Sequence, residues 1–94
     1  MKRTFISDIQ ETGSKEVLLK GWVHKIRSFK DFAFVLLRDK SGVVQLVVNE
    51  CEELKELKPE SSIEAVGEVV ENDKAPGGIE LNVKELKMRS VRLH

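Results

Sequence analysis

The chain has 94 residues, of which 40% are hydrophobic and 34% are charged, and its formal net charge is zero. These values predict one soluble globular domain over residues 1–94, and they exclude the disordered and fibrous classes. No apolar run is long enough to cross a bilayer, which excludes a membrane-spanning protein. The single cysteine, Cys51, cannot form an internal disulfide, and no signal peptide is recognisable near Met1. We therefore expect a cytoplasmic protein.

Charge is distributed unevenly along this neutral chain. Residues 1–48 contain nine Lys and Arg against five Asp and Glu, a balance of +4, whereas residues 49–94 contain seven against eleven, a balance of −4. The neutral total argues against a strong non-specific nucleic-acid binder. The basic half would still offer a polyanion a favourable surface, although an asymmetry of this size is equally common in proteins that bind none.

The first half of the chain predicts a short N-terminal segment, residues 1–15, followed by strands. Ser7 is expected to cap one short helical turn in that segment. Residues 16–27 are rich in β-branched and apolar side chains, which predicts a long first strand, and Gly21 is expected to bend it at a bulge.

Residues 33–48 predict a hairpin, because two apolar runs of strand composition flank turn-forming residues. Gly42 ends that turn, where a positive φ is often needed. Strand alternation gives the hairpin one wholly apolar face for the core. The opposite face is mixed and carries the Phe34 ring, the Arg38 guanidinium and the Gln45 carboxamide, so it is the expected functional face.

The spacing of apolar residues changes from the strand to the helical pattern at the start of the second half of the chain. Residues 49–57 repeat apolar side chains every three residues, which predicts a short helix with Asn49 as its N-cap and Pro59 as its stop. Alternating segments around a glycine-rich turn then predict two more strands, over residues 62–71 and 79–88.

The order of these elements predicts an all-β fold, a five-stranded Greek-key barrel over about residues 16–88 with a short helix between strands 3 and 4. This is the OB-fold arrangement, in which strands 2 and 3 and the 1–2 and 4–5 loops form the ligand surface. An SH3-like barrel is the alternative, but it seldom has a helix at this point.

Four residues are candidate RNA-binding residues if the barrel is right. The Phe34 ring can stack an unpaired base, and the Gln45 carboxamide offers both a donor and an acceptor to a base edge. Arg27, at the end of the first strand, can pair with phosphate, and Glu80, beside the 4–5 loop, can accept from a base amino or imino group. Each also has an ordinary interpretation: Phe34 as cover for the barrel flank, and the others as solvent-exposed polar side chains.

Other conspicuous residues predict no chemistry. Trp22 is expected to fill the core or the bulge, and Cys51 to be a small buried hydrophobe on the helix. His24 lacks a neighbour at metal-ligand spacing, so no metal site is predicted. There is no catalytic constellation and no glycine loop that would cradle a phosphate, so we expect a binding module rather than an enzyme, without a cofactor.

The segments VLLKGWVHKIR, FVLLRDKSGVVQLVV and GEVVENDKAPGGIELNVKEL together resemble the N-terminal anticodon-binding domain of class IIb aminoacyl-tRNA synthetases. The resemblance covers about residues 3–88. Within the class, the chain is most similar to archaeal-type aspartyl-tRNA synthetases, and the archaeal-type asparaginyl enzymes come second. The resemblance implies a tRNA anticodon stem-loop as partner and a parent ligase whose catalytic domain is absent here, so the chain is either an excised domain or a free-standing paralogue.

The resemblance also implies roles at matching positions. Phe34 matches the phenylalanine that stacks on the central anticodon uridine, and Gln45 matches the glutamine that hydrogen-bonds the same base. Arg27 matches an arginine near the anticodon loop, and Glu80 matches a glutamate that contacts a neighbouring anticodon base.

Two further matches concern anticodon specificity. Relatives restricted to aspartate tRNA tend to have Trp at the position of His24 and Lys at the position of Pro76. This chain therefore resembles the non-discriminating kind, which charges both aspartate and asparagine tRNAs. The alternatives are a general single-strand-binding OB protein, which should have more exposed aromatic residues and a basic balance, and a barrel that binds another protein through a patch around Phe34.

Overall fold

A computed structural model describes residues 2–12, 15–49 and 52–89. The strands and the helix between the third and fourth strands occur in the order that the sequence predicts. The strands and α-helices are α1 (Ile9–Thr12), β1 (Glu16–Ser28), β2 (Phe32–Asp39), β3 (Gly42–Asn49), α2 (Glu52–Glu56), β4 (Ser62–Glu71) and β5 (Ile79–Met88). Short 3-10 turns precede α1, over Ile6–Asp8, and β5, over Pro76–Gly78.

The five strands form one closed barrel in the order β1-β2-β3-β5-β4. All neighbouring strands are antiparallel except β3 and β5, which run parallel through the pairs Gln45–Glu80, Leu46–Leu81 and Val47–Asn82. The helix lies between β3 and β4, as in an OB-fold. The predicted fold class is therefore confirmed.

Strand alternation separates an inner face from an outer one. On the hairpin, Ala33, Val35 and Leu37 of β2 are fully buried, whereas Phe34 and Leu36 are only partly buried. The buried side chains from all five strands fill the barrel, and Ile6 and Ile9 of the N-terminal segment join them. The apolar face of the predicted hairpin is thus the core, and its mixed face is directed outwards.

Close approach of neighbouring backbones explains two glycines in strands. A Cβ atom on Gly21 would overlap the Arg38 carbonyl oxygen, and one on Gly67 would overlap the Asn82 carbonyl oxygen. The bulge of β1 is not at Gly21, however. It lies between Val23 and Lys25, because the register with β2 shifts there. Gly21 thus allows close contact of the strands rather than forming the bulge.

The N-terminal segment is held by the β2–β3 turn. The Asp39 carboxylate is buried and accepts hydrogen bonds from Ile6 N at 2.9 Å, Ser41 N at 2.7 Å, Ser41 Oγ at 2.6 Å and Gly42 N at 3.1 Å. Burial alone would raise the pKa of this carboxyl, but the hydrogen bonds from Ser41, Ile6 and Gly42 outweigh it and hold the Asp39 pKa below its ordinary value. The Asp39 side chain therefore joins the hairpin to the start of the chain.

Three local predictions are wrong. Ser7 lies inside the 3-10 turn and does not cap it: the N-cap is Phe5, whose side chain has no acceptor, and the Ser7 amide donates to Ser41 Oγ at 3.0 Å. Gly42 has no positive φ, and its amide donates to the Asp39 carboxylate. Asn49 is the last residue of β3, one residue beyond the expected end of that strand, and α2 spans Glu52–Glu56, so Asn49 is no N-cap.

The connection between β3 and β4 closes one end of the barrel. α2 ends before Leu57, which is buried in the core, and Pro59 follows in a turn. The predicted helix is therefore present but shorter. Cys51, expected on its buried side, lies outside the described residues.

Candidate nucleic-acid interface

The outer face of β1, β2, β3 and the start of β5 carries most of the predicted site residues. Here this outer face means the outward side chains of three cross-strand rows, which follow from the strand register. The rows are Arg27–Phe34–Val47, Lys25–Leu36–Gln45–Glu80 and Trp22–Arg38–Val43. Phe34 and Gln45 therefore lie on one side of the sheet, in adjacent rows, as predicted.

Phe34 belongs to a cluster of three rings. Its centroid lies 5.4 Å from that of Phe29 and 5.3 Å from that of Phe32, both in edge-on geometry, and Phe29 stacks on Phe32 at 4.9 Å. A backbone hydrogen bond from Phe29 N to Phe32 O, 2.8 Å long, closes the β1–β2 loop that carries these rings. Edge contacts of this kind fix the plane of the Phe34 ring.

Gln45 and Glu80 are joined directly. Gln45 Nε2 donates to Glu80 Oε1 at 3.0 Å, and Asn72 Nδ2 donates to the same oxygen at 2.8 Å. An ionised carboxylate can only accept, so both amides must direct their nitrogen atoms to Glu80. The orientation of Asn72 is fixed again on its other side, because its Oδ1 accepts from Lys74 N at 3.0 Å.

This network leaves a defined set of groups for a ligand. Among the described residues, Gln45 Oε1 and Glu80 Oε2 accept no hydrogen bond, and Gln45 Nε2 keeps one further hydrogen. One acceptor next to one donor matches the imino and carbonyl groups on the edge of a uracil. The second acceptor, on Glu80, suits an amino or imino hydrogen of another base.

The remaining predicted residues lie at the borders of this surface. Arg27 pairs with Phe34 across β1 and β2, and its Cζ lies 5.8 Å from the centre of the exposed Phe29 ring. His24 is exposed in the β1 bulge and lines a hollow with Trp22 and Arg38, whereas Pro76 lines a different hollow beside Gly42 and Val43. The structure thus brings Gln45 and Glu80 together but does not bring His24 and Pro76 into one pocket.

Sequence reasoning missed four residues of this surface. Trp22 was expected inside, but it is 40% exposed, because alternation along β1 buries its neighbour Val23. Phe29 and Phe32 could have been found from the spacing of three aromatic residues around one predicted loop. The role of Asn72 had no sequence signal beyond the turn composition of its segment.

Within residues 2–12, 15–49 and 52–89, no group of three or more His, Cys, Asp or Glu side chains is placed to hold a metal ion. Nor does any helix in these ranges have the length and apolar character needed to cross a membrane.

The family model of an OB-fold nucleic acid binding domain, of the tRNA anticodon type, matches residues 17–89. The aspartate–tRNA(Asp/Asn) ligase of Thermus thermophilus is 43% identical over 91 residues, which is 97% of this chain and 21% of the ligase. The enzyme of the same name from Methanococcus vannielii is 42% identical over 93% of this chain and 22% of the ligase.

A solved structure with the same architecture is asparaginyl-tRNA synthetase from Pyrococcus horikoshii. It superimposes with a TM-score of 0.82 at 33% identity, over 93% of this chain and 23% of that one. The chain spans about a fifth of the length of the curated relatives it matches. The family match and these identities together show that the chain belongs to the OB-fold nucleic acid binding domains of the tRNA anticodon family and is homologous to aspartate–tRNA ligases.

Proposed function

We propose that this chain binds the unpaired anticodon loop of an aspartate-type tRNA through its outer face. The observation that supports the proposal is the Gln45–Glu80 hydrogen bond, which lies in the cross-strand row next to that of Phe34. The names of the homologous ligases support the choice of tRNA as the RNA class.

Binding begins with stacking on Phe34. The ring is partly buried and is held at its edges by Phe29 and Phe32, so it loses little freedom when a base covers it. A stacked base contributes about 1–3 kcal/mol to binding, largely without regard to its identity. The positive Arg27 side chain next to this cluster supports the proposal because it can pair with a phosphate of the same nucleotide.

Discrimination between bases is assigned to Gln45 and Glu80. Gln45 Oε1 accepts the imino hydrogen of a uracil while the free hydrogen on Nε2 donates to a uracil carbonyl. Glu80 Oε2 accepts from an adjacent base. A cytosine in place of the uracil presents an acceptor where Gln45 needs a donor, and this mismatch leaves buried polar groups unpaired.

The chemistry of the ligases is assigned to parts of those proteins that this chain does not match. The chain aligns with about a fifth of their length. We therefore propose that it positions the tRNA and is not itself the catalyst, and that a catalytic domain is its partner in the same enzyme.

Fluorescence titration with a labelled anticodon stem-loop tests the proposal, with a scrambled single strand of equal length as the comparison. The stem-loop should bind more tightly, and Phe34→Ala should weaken its binding by about 1–3 kcal/mol, the contribution of one stacked base. Phe5→Ala is the matched control, because Phe5 lies between Arg3 and Lys40, outside the outer face. Equal binding of both RNAs would favour a general single-strand binder, and unchanged affinity of Phe34→Ala would refute the stacking role.

Relaxed specificity for the third anticodon base is a second candidate property. His24 and Pro76 resemble the residues of non-discriminating relatives, and the homologous ligases are named for both aspartate and asparagine tRNAs. Stem-loops that end their anticodon in C or in U should then bind with similar affinity. A large preference for either would contradict the proposal and favour a chain dedicated to one of the two tRNAs.

A further inference from the structure

We propose that the outer face contains a second nucleotide subsite at its Trp22–Arg38 end, which holds an unpaired nucleotide flanking the one stacked on Phe34. The inference rests on the proposed function, since it assigns a further contact of the same RNA loop. Trp22 and Arg38 are direct cross-strand partners on β1 and β2, so an indole and a guanidinium lie side by side.

A groove of about 620 Å³ opens beside this pair. It is lined by residues of β1, β2 and the segment that precedes β4: Trp22, Val23, His24, Arg38, Pro59, Glu60 and Ser62. The volume is within the range of small-molecule binding sites. One nucleotide is therefore of suitable size.

The far wall of the groove is fixed by the backbone of β1. Glu60 N donates to Val23 O at 2.6 Å, and Val23 N donates to Ser61 O at 2.8 Å. Glu60 has a φ of 73°, in the left-handed region that non-glycine residues rarely adopt. Both the N–H and the C=O of Val23 are thus hydrogen-bonded to the segment before β4. These two bonds hold that wall of the groove in place without a ligand.

The chemistry of the groove selects a nucleotide over an apolar segment of protein. Trp22 is 40% exposed and offers a flat surface for a base. The exposed Arg38 side chain makes no ion pair or hydrogen bond with any described residue, so its five donors are free for a phosphate. A stacking ring and a free guanidinium side by side match the two halves of a nucleotide.

The groove is continuous with the rest of the interface. Arg38 lies four residues from Phe34 on β2, which corresponds to about 13 Å along the strand. The row with Gln45 and Glu80 lies between them. The large hydrophobic side chains that are exposed among the described residues, Trp22, Phe29 and Val43, all lie on this face or at its border. Aromatic surfaces thus flank the base-reading pair on both sides.

Trp22 is the only tryptophan of the chain, so its fluorescence reports on this subsite alone. Addition of an anticodon stem-loop RNA to the 94-residue chain should quench Trp22 and protect it from acrylamide. Inorganic polyphosphate is the control, because it can neutralise Arg38 without stacking and should leave Trp22 accessible. If the stem-loop binds by anisotropy while Trp22 remains as accessible as in the free chain, the subsite is refuted.

Variants separate failure of the subsite from failure of the proposed function. Trp22→Ala should weaken stem-loop binding roughly 5- to 150-fold, the equivalent of one stacked base, and Trp22→Phe should retain most of the affinity. An abasic nucleotide at the flanking loop position should abolish the difference between wild type and Trp22→Ala. Should Phe34→Ala weaken binding while Trp22→Ala does not, this subsite is refuted and the proposed function stands.

If neither variant changes RNA affinity, the proposed function itself is refuted. Thermal unfolding of each variant shows whether it is folded. If Trp22→Ala is unstable, the quenching experiment on the unmodified chain still tests the subsite. Trp22 could also be protected only when the remainder of a homologous ligase is fused to the chain, while RNA has no effect. That result would assign the groove to an interface between domains and overturn the proposal.

Discussion

At the scale of single residues, the most informative atom is Glu80 Oε1, which receives hydrogen bonds from both Gln45 and Asn72. Both donors use the same oxygen, so the other oxygen, Oε2, accepts no hydrogen bond from the described residues. The same contacts fix which end of the Gln45 amide is left for a base. The proposed site therefore has its acceptors and donors arranged without a ligand, and preorganisation of this kind lowers the free-energy cost of binding.

Truncation of Gln45 should affect base selection more than stability. Gln45→Ala removes a partly buried amide from the outer face and leaves the inward residues of β3 in place. We expect discrimination between U and C at the central anticodon base to fall by about 1–3 kcal/mol, because the base-edge contacts are lost. Paired titrations with the two stem-loops measure this difference. Glu68→Ala, an exposed truncation on β4, is the control, and retained discrimination in Gln45→Ala would contradict the assignment.

Asn72 is predicted to act by positioning Glu80, and two substitutions distinguish this role from mere shaping of the loop. Asn72→Ala loses both side-chain contacts, whereas Asn72→Asp keeps the acceptor for Lys74 N but cannot donate to Glu80 and repels it. Stem-loop affinity should therefore fall from wild type to Ala to Asp, with a step of about 1 kcal/mol for the lost hydrogen bond. If Asn72 only shapes the loop, the order of the two variants will be reversed.

Residue-level prediction from the sequence succeeded where alternation alone decides the result and failed where a side chain acts through another. Phe34 and Gln45 share a face because the period of a strand is two. Trp22 was misplaced because its hydrophobicity was given more weight than the same alternation. The contact of Asn72 with Glu80 depends on the closure of a loop, and composition does not contain that geometry.

At the scale of elements, the β2–β3 turn is the junction between the barrel and the N-terminal segment. The Asp39 carboxylate accepts hydrogen bonds from residues on both sides of that junction. Sequence analysis recognised the turn from its composition and expected a positive φ at Gly42. It did not foresee that Asp39 ties the turn to the N-terminal segment, because a hydrogen bond between residues 33 positions apart leaves no local pattern. Strand limits were closely predicted, and the helix was overestimated because β3 extends into its expected start.

The stability of the chain should depend on acid through Asp39. Its pKa is lowered in the folded state, so its stabilising contribution is complete above the ordinary carboxyl pKa of about 4 and is lost as the pH falls through the folded value. Asp39→Asn should reduce the free energy of unfolding at pH 7 by about 2–3 kcal/mol, because an amide cannot accept all of these hydrogen bonds.

Urea unfolding at a series of pH values from 7 to about 3 measures both effects. The difference between wild type and Asp39→Asn should become smaller as the pH falls below about 4. Asp31→Asn, which neutralises an exposed carboxylate in the β1–β2 loop, is the control and should leave stability nearly unchanged. A difference that stays constant with pH would show that the charge of Asp39 is not responsible.

At the scale of the whole molecule, closure of the barrel requires strands to approach closely at two glycines. Gly21 faces the Arg38 backbone and Gly67 faces the Asn82 backbone, each with no room for a side chain. Sequence analysis expected a bulge at Gly21 and did not foresee the close approach, because it involves strands that are adjacent only in the folded barrel.

Gly21→Ala should therefore destabilise the barrel. Its Cβ would overlap the Arg38 carbonyl, and backbone cannot move aside as a flexible side chain can, so we expect a loss of about 1–3 kcal/mol. Gly42→Ala is a closely matched control, because its Cβ would meet only Ile6 Cγ2 at an ordinary 3.5 Å. Denaturant midpoints of the two variants measure the contrast, and equal midpoints would show that β1 can shift to accept the methyl group.

The parallel pairing of β3 with β5 connects the proposed site to the closure of the barrel. This seam runs over three paired positions, whereas β4 and β5 pair over nine, so the seam is the shortest closure in the cylinder. Gln45 and Glu80 form the first pair of this seam, and they are also the residues proposed to hydrogen-bond the edge of a base. A nucleotide bound to both side chains would bridge the shortest strand pairing of the barrel, so binding of the base would also strengthen the closure of the barrel.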